Sequence, residues 1–320
     1  MKSKIARFMN RPVHLQIATI KNLMRLLVSR LLRSLMGKPI SILFHSEWGR
    51  GVLYSSLPKD ELVICNTREG LRYIVNSSDQ TIGRDVFQTQ TSFDSENLLK
   101  SLDILGLQKK IILDVGANIG TIGVFAVSQG LVRECIAFEP EPGNFELLKA
   151  NVQLNQLTSK FTMHNIALAS DDVGSMLFEL SPTNFGDHRI SISKEAGLNR
   201  EEERSTIEVP TNSLDRILSQ ESLADCLLFM DTQGFEGDIL AGAKLLIDHK
   251  VPIVTEFCPY LLGRARGLEK FYQAFDGSAY TTIYDLNDRE HRIDFSISAL
   301  KEIADRLGHD DGRFTDLLIF

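Results

Sequence analysis

The most informative stretch of the sequence is IILDVGANIGTIGVFA, which runs from Ile111 to Ala126. An apolar run carries Asp114 near its end, a short Gly/Asn turn follows, and a second apolar stretch continues with helical spacing. This order predicts a buried strand, a tight turn and a helix whose first amides are free to face a ligand. Gly116 and Gly120 lack a Cβ, so the backbone of the turn can bend and approach a small molecule closely.

Strands and helices continue to alternate after this stretch. The strand candidates are ECIAFEP, TMHNIAL, CLLFMD and PIVTEF, and the helix candidates include NFELLKANVQL and EGDILAGAKLLID. A hairpin-like region, SMLFEL with STIEVP, interrupts the series, and YTTIYDLN and RFTDLLIF close it as strands. The alternation predicts an α/β protein with a parallel sheet and helices on both faces. Ligands of such sheets bind beyond the carboxyl ends of the strands.

The turn after the first strand favours one cofactor over another. The dinucleotide fingerprint G-x-G-x-x-G is absent, because Asn118 stands where its first glycine would be. Asp114 would repel a pyrophosphate and attract a cationic ligand such as S-adenosylmethionine, which has an ammonium, a sulfonium and no phosphate. Glu139, 25 residues further on, ends the second strand, where a carboxylate can accept hydrogen bonds from ribose hydroxyls. A NAD-linked oxidoreductase and a non-catalytic cofactor-binding protein remain as alternatives.

The N-terminal part of the chain is basic and the remainder is acidic. Residues 1–46 contain nine Lys/Arg and no acid, whereas the remaining residues carry 26 bases against 42 acids. Residues 12–36 have apolar side chains at three- and four-residue spacing, which predicts an amphipathic helix. Such a helix could pack on the body or another subunit, contact a membrane surface, or serve as an organelle address. The acidic body argues against nucleic acid as a partner.

Between the arm and the alternating region, the sequence predicts a small β-rich lead-in. GVLYSSL and GLRYIVN are its strand candidates, with ELVICNT between them, and residues 94–105 form a helix candidate with Asp94 as the N-cap. The four cysteines occur singly inside apolar runs: Cys65, Cys135, Cys226 and Cys258. We expect buried, reduced thiols, which fit a cytoplasmic protein that could also be membrane-associated through its arm.

Six segments together resemble the FkbM family of S-adenosylmethionine-dependent methyltransferases. They are LDVGANIGTIGVFA, AFEPEPGNFELLKANVQLN, NIAL, FMDTQGFEGDILAGA, IVTEF and FTDLLIF. The resemblance implies a Rossmann-like, seven-stranded methyltransferase sheet with an antiparallel last strand. It also implies O-methylation of a hydroxyl on a sugar, a glycoconjugate or a secondary metabolite, with N- or C-methylation as alternatives. The domain prediction is a helical arm over 1–37, a lead-in or cap over 38–105, and a methyltransferase domain over 106–320.

The resemblance also assigns roles to individual residues. Asp114, Gly116, Asn118 and Gly120 would hold the methionine part of the cofactor, Glu139 the ribose, and Asn165 with Ile166 would border the adenine. Asp231, Gln233, Gly234 and Glu236 would line the reaction site. The regions 181–204 and 258–279 are individual to this chain and leave the small-molecule or carbohydrate acceptor open.

A hydroxyl acceptor needs a general base, which contributes ~10²–10⁴-fold to the rate. Asp231 and Glu236 are the leading candidates, because they flank the turn after the fourth strand. His188 is a third candidate, since histidine titrates near neutrality. No cluster of His, Cys and acidic residues has metal-ligand spacing in the sequence, so no metal is predicted.

Overall fold

The computed structural model describes residues 46–106, 110–170, 174–193, 195–218, 220–288 and 291–320. The predicted amphipathic helix at residues 12–36 lies outside these residues. Among the helices of the described ranges, none combines the length and the apolar character that crossing a membrane requires.

The helices and strands are numbered here in chain order. The α-helices are α1 Glu47–Ser56, α2 Ile82–Thr89, α3 Ser95–Leu105, α4 Thr121–Ser128, α5 Pro142–Leu154, α6 Leu214–Ile217, α7 Glu236–Ala241, α8 Lys244–Asp248, α9 Pro259–Arg264, α10 Leu268–Ala274 and α11 Ile297–Leu307. The strands are β1 Leu62–Asn66, β2 Arg72–Asn76, β3 Ile111–Val115, β4 Glu134–Phe138, β5 Phe161–His164, β6 Ala167–Leu168, β7 Ser175–Leu180, β8 Arg189–Ile190, β9 Ser205–Asn212, β10 Cys226–Met230, β11 Ile253–Phe257, β12 Thr282–Asp285, β13 Arg292–Asp294 and β14 Thr315–Ile319.

The central sheet has the order β13-β12-β14-β11-β10-β3-β4-β5. Strands β5, β4, β3, β10 and β11 are parallel to their neighbours, and β14 runs antiparallel to β11. The predicted α/β sheet with an antiparallel last strand is therefore confirmed. The sheet has eight strands rather than seven, because the short β13 pairs with β12 at its edge. The predicted hairpin-like region forms a separate sheet in the order β6-β9-β7-β8.

Two local predictions are wrong, for identifiable reasons. The candidate strand GVLYSSL belongs to helix α1, which Ser46 caps by accepting the amide of Gly49 at 3.0 Å. Arg50 and Tyr54, one helical turn apart, face the interior, and this spacing suits a helix rather than a strand. The single helix predicted over EGDILAGAKLLID is broken into α7 and α8. At the break, a Cβ on Gly242 would lie 2.4 Å from the carbonyl of Ala169, so the chains approach closely there.

The lead-in packs against one face of the central sheet. Tyr73 of β2 is fully buried in a cluster that also contains Ile112 of β3 and Leu318 of β14. Asn151 of α5 links the same strand to the turn after β3. Its Oδ1 accepts the amide of Ile74 at 2.6 Å, and its Nδ2 donates to the carbonyl of Ile119 at 2.9 Å. The lead-in thus supports the turn, and the domain division at residues 37 and 105 stays a prediction. All four cysteines are buried and unpaired, as predicted.

Candidate active site

The turn after β3 is held against the ends of two neighbouring strands. The amides of Gly116 and Ala117 donate to the carbonyl of Phe138, at 3.1 and 3.0 Å. Gly116 has φ +82°, and a Cβ at this position would lie 1.9 Å from the carbonyl oxygen of Asp231. The turn therefore requires glycine both for its conformation and for its approach to β10.

Glu139 fixes the same turn from the end of β4. Its Oε2 accepts the amide of Asn118 at 2.8 Å, and its Oε1 accepts the amide of Glu141 at 2.8 Å. Burial raises the pKa of Glu139 to about 8, against the two backbone hydrogen bonds, which lower it. Each carboxylate oxygen keeps a further lone pair, which can accept a hydrogen bond from a ligand hydroxyl.

A cavity opens beside this turn. Gly116, Asn118, Glu139 and Asp231 supply polar groups to its wall, and most of the other lining side chains are apolar: Val115, Phe138, Ile166, Leu168, Phe178, Phe185, Ile190, Phe235 and Ile239. A largely apolar cavity with a few polar groups is typical of a small-molecule site. Asn118 also shapes the wall, because its Nδ2 donates to the carbonyl of Phe185 at 2.8 Å.

Three of the residues assigned to the cofactor lie outside the cavity lining. The Oδ2 of Asp114 accepts the amide of Gly123 at 3.0 Å, so this carboxyl fixes α4, and burial raises its pKa to about 7. Gly120 has φ +89°, and a Cβ added there would lie only 2.6 Å from the side chain of Leu148. The side-chain amide of Asn165 donates to the carbonyls of Glu139 and Pro140, at 2.8 and 3.0 Å. These residues are placed to support the cavity from behind.

Asp231 and Glu256 form a pair of carboxyls at the ends of β10 and β11. The side-chain amide of Gln233 donates to both, at 2.7 Å to Asp231 Oδ1 and 3.3 Å to Glu256 Oε2. Burial raises the pKa of both carboxyls, and the charge of Asp231 raises that of Glu256 further. Gln233 reaches both groups from a left-handed backbone conformation, with φ +57°. A carboxyl of raised pKa beside a ligand cavity is suited to accepting a proton near neutral pH.

Glu236 has a different position from the one that catalysis would need. It is 1% exposed, and its Oε1 accepts the amide of Thr232 at 2.9 Å, the hydroxyl of Thr232 at 2.9 Å and the amide of Gly234 at 3.2 Å. With three donors on one oxygen, Glu236 holds the loop between β10 and α7 in place. Its first-turn position in α7 also suits its negative charge.

His188 lines the cavity, but its ring is oriented for donation. Its Nδ1 accepts the amide of Ser181 at 3.0 Å, which leaves the proton of the neutral ring on Nε2. Burial lowers the pKa of His188 to about 4, and the charge of Arg204 contributes. The neutral tautomer offers no free lone pair to a substrate, so the geometry disfavours His188 as a base.

Two further acids stand near the carboxyl pair, and sequence reasoning did not assign them to the site. Asn97 of α3 donates to Asp94 Oδ1 at 2.9 Å and to Asp316 Oδ2 at 3.0 Å. Burial is the main cause, and the charge of Asp231 a further one, that raises the pKa of Asp94 to about 8 and that of Asp316 to about 7. Asp94 begins α3 as predicted, but its side chain makes no capping hydrogen bond. Its left-handed backbone, which the sequence does not reveal, distinguishes Asp94 from an ordinary N-cap.

The spacing of three carboxyls bears on the metal prediction. One oxygen each of Asp231, Glu236 and Glu256 lies within 4.8 Å of the others, a group that could hold a cation. The Oε1 of Glu236 is already used by the three donors of its own loop. The absence of a metal therefore stays a prediction, and a chelator tests it.

The fold and this cavity define a class of protein. A glycine turn after β3, an acid with free lone pairs after β4 and a carboxyl after β10, around a mostly apolar cavity, fit an α/β methyltransferase whose methyl donor is S-adenosylmethionine. The family model described as "Methyltransferase FkbM domain" matches residues 114–287. The chain belongs to this family, whose members use S-adenosylmethionine, so the NAD-linked alternative is excluded.

Several solved structures are similar to this chain at low identity. An FkbM methyltransferase from Methylobacillus flagellatus KT has 17% identity and a TM-score of 0.39, and the match covers 67% of this chain and 44% of that one. P. horikoshii TYW2 in complex with MeSAdo has 13% identity and a TM-score of 0.40, over 83% and 74%. A Pyrococcus abyssi tRNA (uracil-54, C5)-methyltransferase in complex with S-adenosyl-L-homocysteine has 12% identity and a TM-score of 0.37, over 81% and 44%. No curated protein sequence matches the chain significantly.

Proposed function

We propose that this methyltransferase transfers the methyl group of S-adenosylmethionine to a hydroxyl of a sugar, glycoconjugate or secondary metabolite. The observation that carries the proposal is the carboxyl pair of Asp231 and Glu256, bridged by Gln233 beside the cofactor cavity. The cofactor, when bound, supplies an activated methyl group on a sulfonium, so the protein mainly contributes position and electrostatics.

The residues around the cavity divide the work of holding the cofactor. Glu139 accepts the ribose hydroxyls with the lone pairs that the amides of Asn118 and Glu141 leave free. Phe138, Ile166 and their apolar neighbours enclose the flat adenine ring. The Gly116 backbone and the carboxyl of Asp231 meet at the end of the cavity, where a negative charge favours the cationic methionine part.

The carboxyl pair then supplies the base. A hydroxyl becomes a stronger nucleophile as its proton leaves, and a carboxylate within hydrogen-bond reach accepts that proton. Two interacting carboxyls titrate as a pair, so one can hold a proton while the other is ionised and ready to accept one. Asp231 lines the cofactor cavity and Glu256 lies behind Gln233, so we assign the base to Asp231 and a tuning role to Glu256.

The experiment that tests the proposal uses methyl-labelled S-adenosylmethionine and the full-length protein. The protein is incubated with a panel of methyl glycosides and with a carbohydrate-rich cell extract, and the labelled product is identified. We expect an O-methyl ether in the wild type and almost none in an Asp231→Asn variant that still binds S-adenosylhomocysteine. An Asp231→Asn variant with full activity would remove this residue from the base role.

One observation favours a second candidate function. The carboxyls of Asp94, Asp231, Glu256 and Asp316 influence one another electrostatically, and such a concentration of acids attracts a cationic acceptor. An amine would then be the acceptor, and the product would be an N-methyl compound on the same fold. Mass spectrometry of the labelled product separates the two, because the bond to the new methyl group differs.

The proposal includes a cellular setting and excludes one class of acceptor. The unpaired thiols fit a reducing, cytoplasmic compartment, with membrane contact through residues 12–36 as the alternative role of the arm. The acidic composition after residue 46 disfavours nucleic acid as the acceptor. Total tRNA belongs in the labelling panel as the arm of the experiment that checks this exclusion.

A further inference from the structure

A second, small cavity lies directly beside the cofactor cavity. Ile190 and Phe235 contribute to the walls of both cavities, and Gln233, which bonds to Asp231 at 2.7 Å, lines the second one. The second cavity therefore begins where the base of the proposed reaction is held.

Two arginines line this cavity, and one of them, Arg189, has a buried donor group without an acceptor, whereas Arg264 donates from Nη2 to the carbonyl of Glu195 at 2.7 Å. The side chain of Arg189 is 7% exposed, and its Nε donates no hydrogen bond, lying 3.5 Å from Glu179 Oε1 outside bonding geometry. Its Nη1 is 3.9 Å from Glu201 Oε1, beyond hydrogen-bond distance. Arg264 Nε lies 3.4 Å from the same oxygen of Glu201. A buried N–H group without an acceptor costs free energy, so a ligand oxygen here would be favoured.

The charges around the cavity balance one another. Besides Arg189 and Arg264, Arg204 joins the cluster through Asp187, and the three arginines are matched by Glu179, Asp187 and Glu201. An added phosphate or ammonium would carry a charge that this balanced cluster does not compensate. An uncharged ligand with several hydroxyls instead uses both the spare donor of Arg189 and the carboxylate acceptors.

Part of the wall of the cavity comes from the two regions that the family resemblance leaves unmatched. Arg189 and Glu201 belong to the region 181–204, and Arg264 belongs to the region 258–279. Tyr260 joins them, because its hydroxyl accepts the amide of Leu198 at 2.8 Å and bonds to Glu201 Oε1 at 3.3 Å. Variable loops on a rigid scaffold are where specificity is usually found.

From this geometry we infer that the second cavity is the acceptor subsite, and that it binds an uncharged carbohydrate ring through Arg189, Glu201 and Arg264. The ring's apolar face packs on Phe235, and one hydroxyl reaches past Gln233 toward Asp231. The inference rests on the proposed function and adds the location, the charge class and the specificity residues of the acceptor. Arg189 and Arg264 are binding residues in this assignment and take no part in proton transfer.

The test is saturation-transfer NMR on the full-length protein with S-adenosylhomocysteine present. The probes are methyl glucoside, methyl galactoside, methyl mannoside and methyl N-acetylglucosaminide, with glucuronic acid and glucosamine as charged counterparts. We expect at least one uncharged glycoside to bind in preference to both charged sugars. Its binding should weaken roughly tenfold or more in Arg264→Met and in Arg189→Lys, because charged donors to the sugar are lost or shortened.

Arg266→Met is the matched control, since Arg266 is an exposed arginine two residues from Arg264 and outside the cavity lining. It should bind the glycoside as the wild type does. Calorimetry with S-adenosylhomocysteine distinguishes failure of the proposed function from failure of the acceptor subsite. If that ligand fails to bind the wild type, the proposed function fails. If it binds but no uncharged glycoside does, or a charged sugar binds more tightly, the acceptor subsite is refuted while the methyltransferase assignment stands. Glycoside binding that is equal in the wild type and in a folded Arg264→Met or Arg189→Lys variant also refutes the subsite.

Discussion

Replacing Gly116 by alanine tests whether the turn after β3 must touch the end of β10. The added Cβ would lie 1.9 Å from the carbonyl oxygen of Asp231, whereas real Cβ atoms stay beyond about 3.0 Å, so the turn and β10 must separate by about 1.1 Å. The left-handed backbone at φ +82° costs a residue with a Cβ ~1–2 kcal/mol. Relieving an overpacked contact costs a further ~1–3 kcal/mol. We expect a loss of roughly 2–5 kcal/mol in the free energy of unfolding.

Gly130→Ala is the matched control for this substitution. Gly130 also has a positive φ, of +70°, but an added Cβ there would meet nothing within 4 Å. It should therefore lose only the ~1–2 kcal/mol of the left-handed conformation. At ~2–4 °C in Tm for each kcal/mol, the expected falls are roughly 4–20 °C for Gly116→Ala and roughly 2–8 °C for Gly130→Ala.

Thermal unfolding and calorimetry with S-adenosylhomocysteine read out the two effects. Gly116→Ala should also weaken S-adenosylhomocysteine binding roughly tenfold or more, because the turn moves relative to Asp231, while Gly130→Ala should leave binding unchanged. Equal Tm values and equal affinities for the two variants would refute the reasoning, since only the close approach distinguishes them.

Three further predictions concern the carboxyls. Asp231→Asn should lower kcat at saturating S-adenosylmethionine by ~10²–10⁴-fold, a larger factor than its loss of S-adenosylhomocysteine affinity, as measured by labelled methyl transfer and calorimetry. Burial raises the pKa of Asp94 and Glu139 to about 8. At neutral pH the folded protein therefore keeps protons on these carboxyls that the unfolded chain has released, and this contribution to stability is lost as the pH rises through about 8. Denaturant titrations should accordingly give a smaller free energy of unfolding at about pH 8.5 than at about pH 7. A free energy of unfolding that stays constant or rises over this interval would contradict the raised pKa of the two carboxyls. Histidines with a lowered pKa no longer titrate at these pH values. EDTA should leave methyl transfer unchanged, and activity that is lost to EDTA and restored by Mg²⁺ would show that the carboxyls of Asp231, Glu236 and Glu256 do hold a cation.

The central part of the fold could be predicted from the sequence because its signals are local. The apolar run before Gly116 and the glycine turn after it specify a buried strand and a helix start, and both are found as β3 and α4. Glu139 could be placed in the site because it directly follows the end of β4, at the carboxyl edge of the sheet. Helix α1 was mistaken for a strand because a short apolar run fits both periods, and its interior side chains become visible only in the packed structure.

The direction and surroundings of single side chains were not predictable in the same way. Asp114 was expected to face the cofactor, but successive residues of a strand point to opposite faces. Asp114 shares the face of Ile112, under α4, while Val115 faces the cavity. The tautomer of His188 depends on the amide of Ser181, and no sequence pattern records that contact.

The second cavity lies beyond sequence reasoning for a related reason. The charged residues of this cavity come from separate segments of the chain: Glu179, Arg189, Glu201 and Arg264. Arg264 follows Glu201, the nearest of the others, by more than sixty residues. All four carry charged side chains, which in a sequence are usually interpreted as solvated surface residues. Only the fold of β7, β8 and α9 brings them to one place, and only burial gives the unused donor of Arg189 an energetic meaning.

The contact between the lead-in and the central sheet has a consequence for how this protein can be divided. Tyr73 donates from its buried hydroxyl toward the first residue of α4, 3.3 Å from the carbonyl of Thr121, and Asp79 Oδ1 accepts the amide of Phe185 at 3.2 Å. The lead-in is therefore a structural part of the catalytic half of the chain rather than a separate unit packed beside it. A chain that begins after Gly106 would expose the apolar face around Ile112 and would lose the hydrogen bonds by which Tyr73 and Asp79 support the start of α4 and the Phe185 segment. We expect the two parts to melt in one transition, to be inherited together, and to be exchanged between homologous proteins only as a single unit.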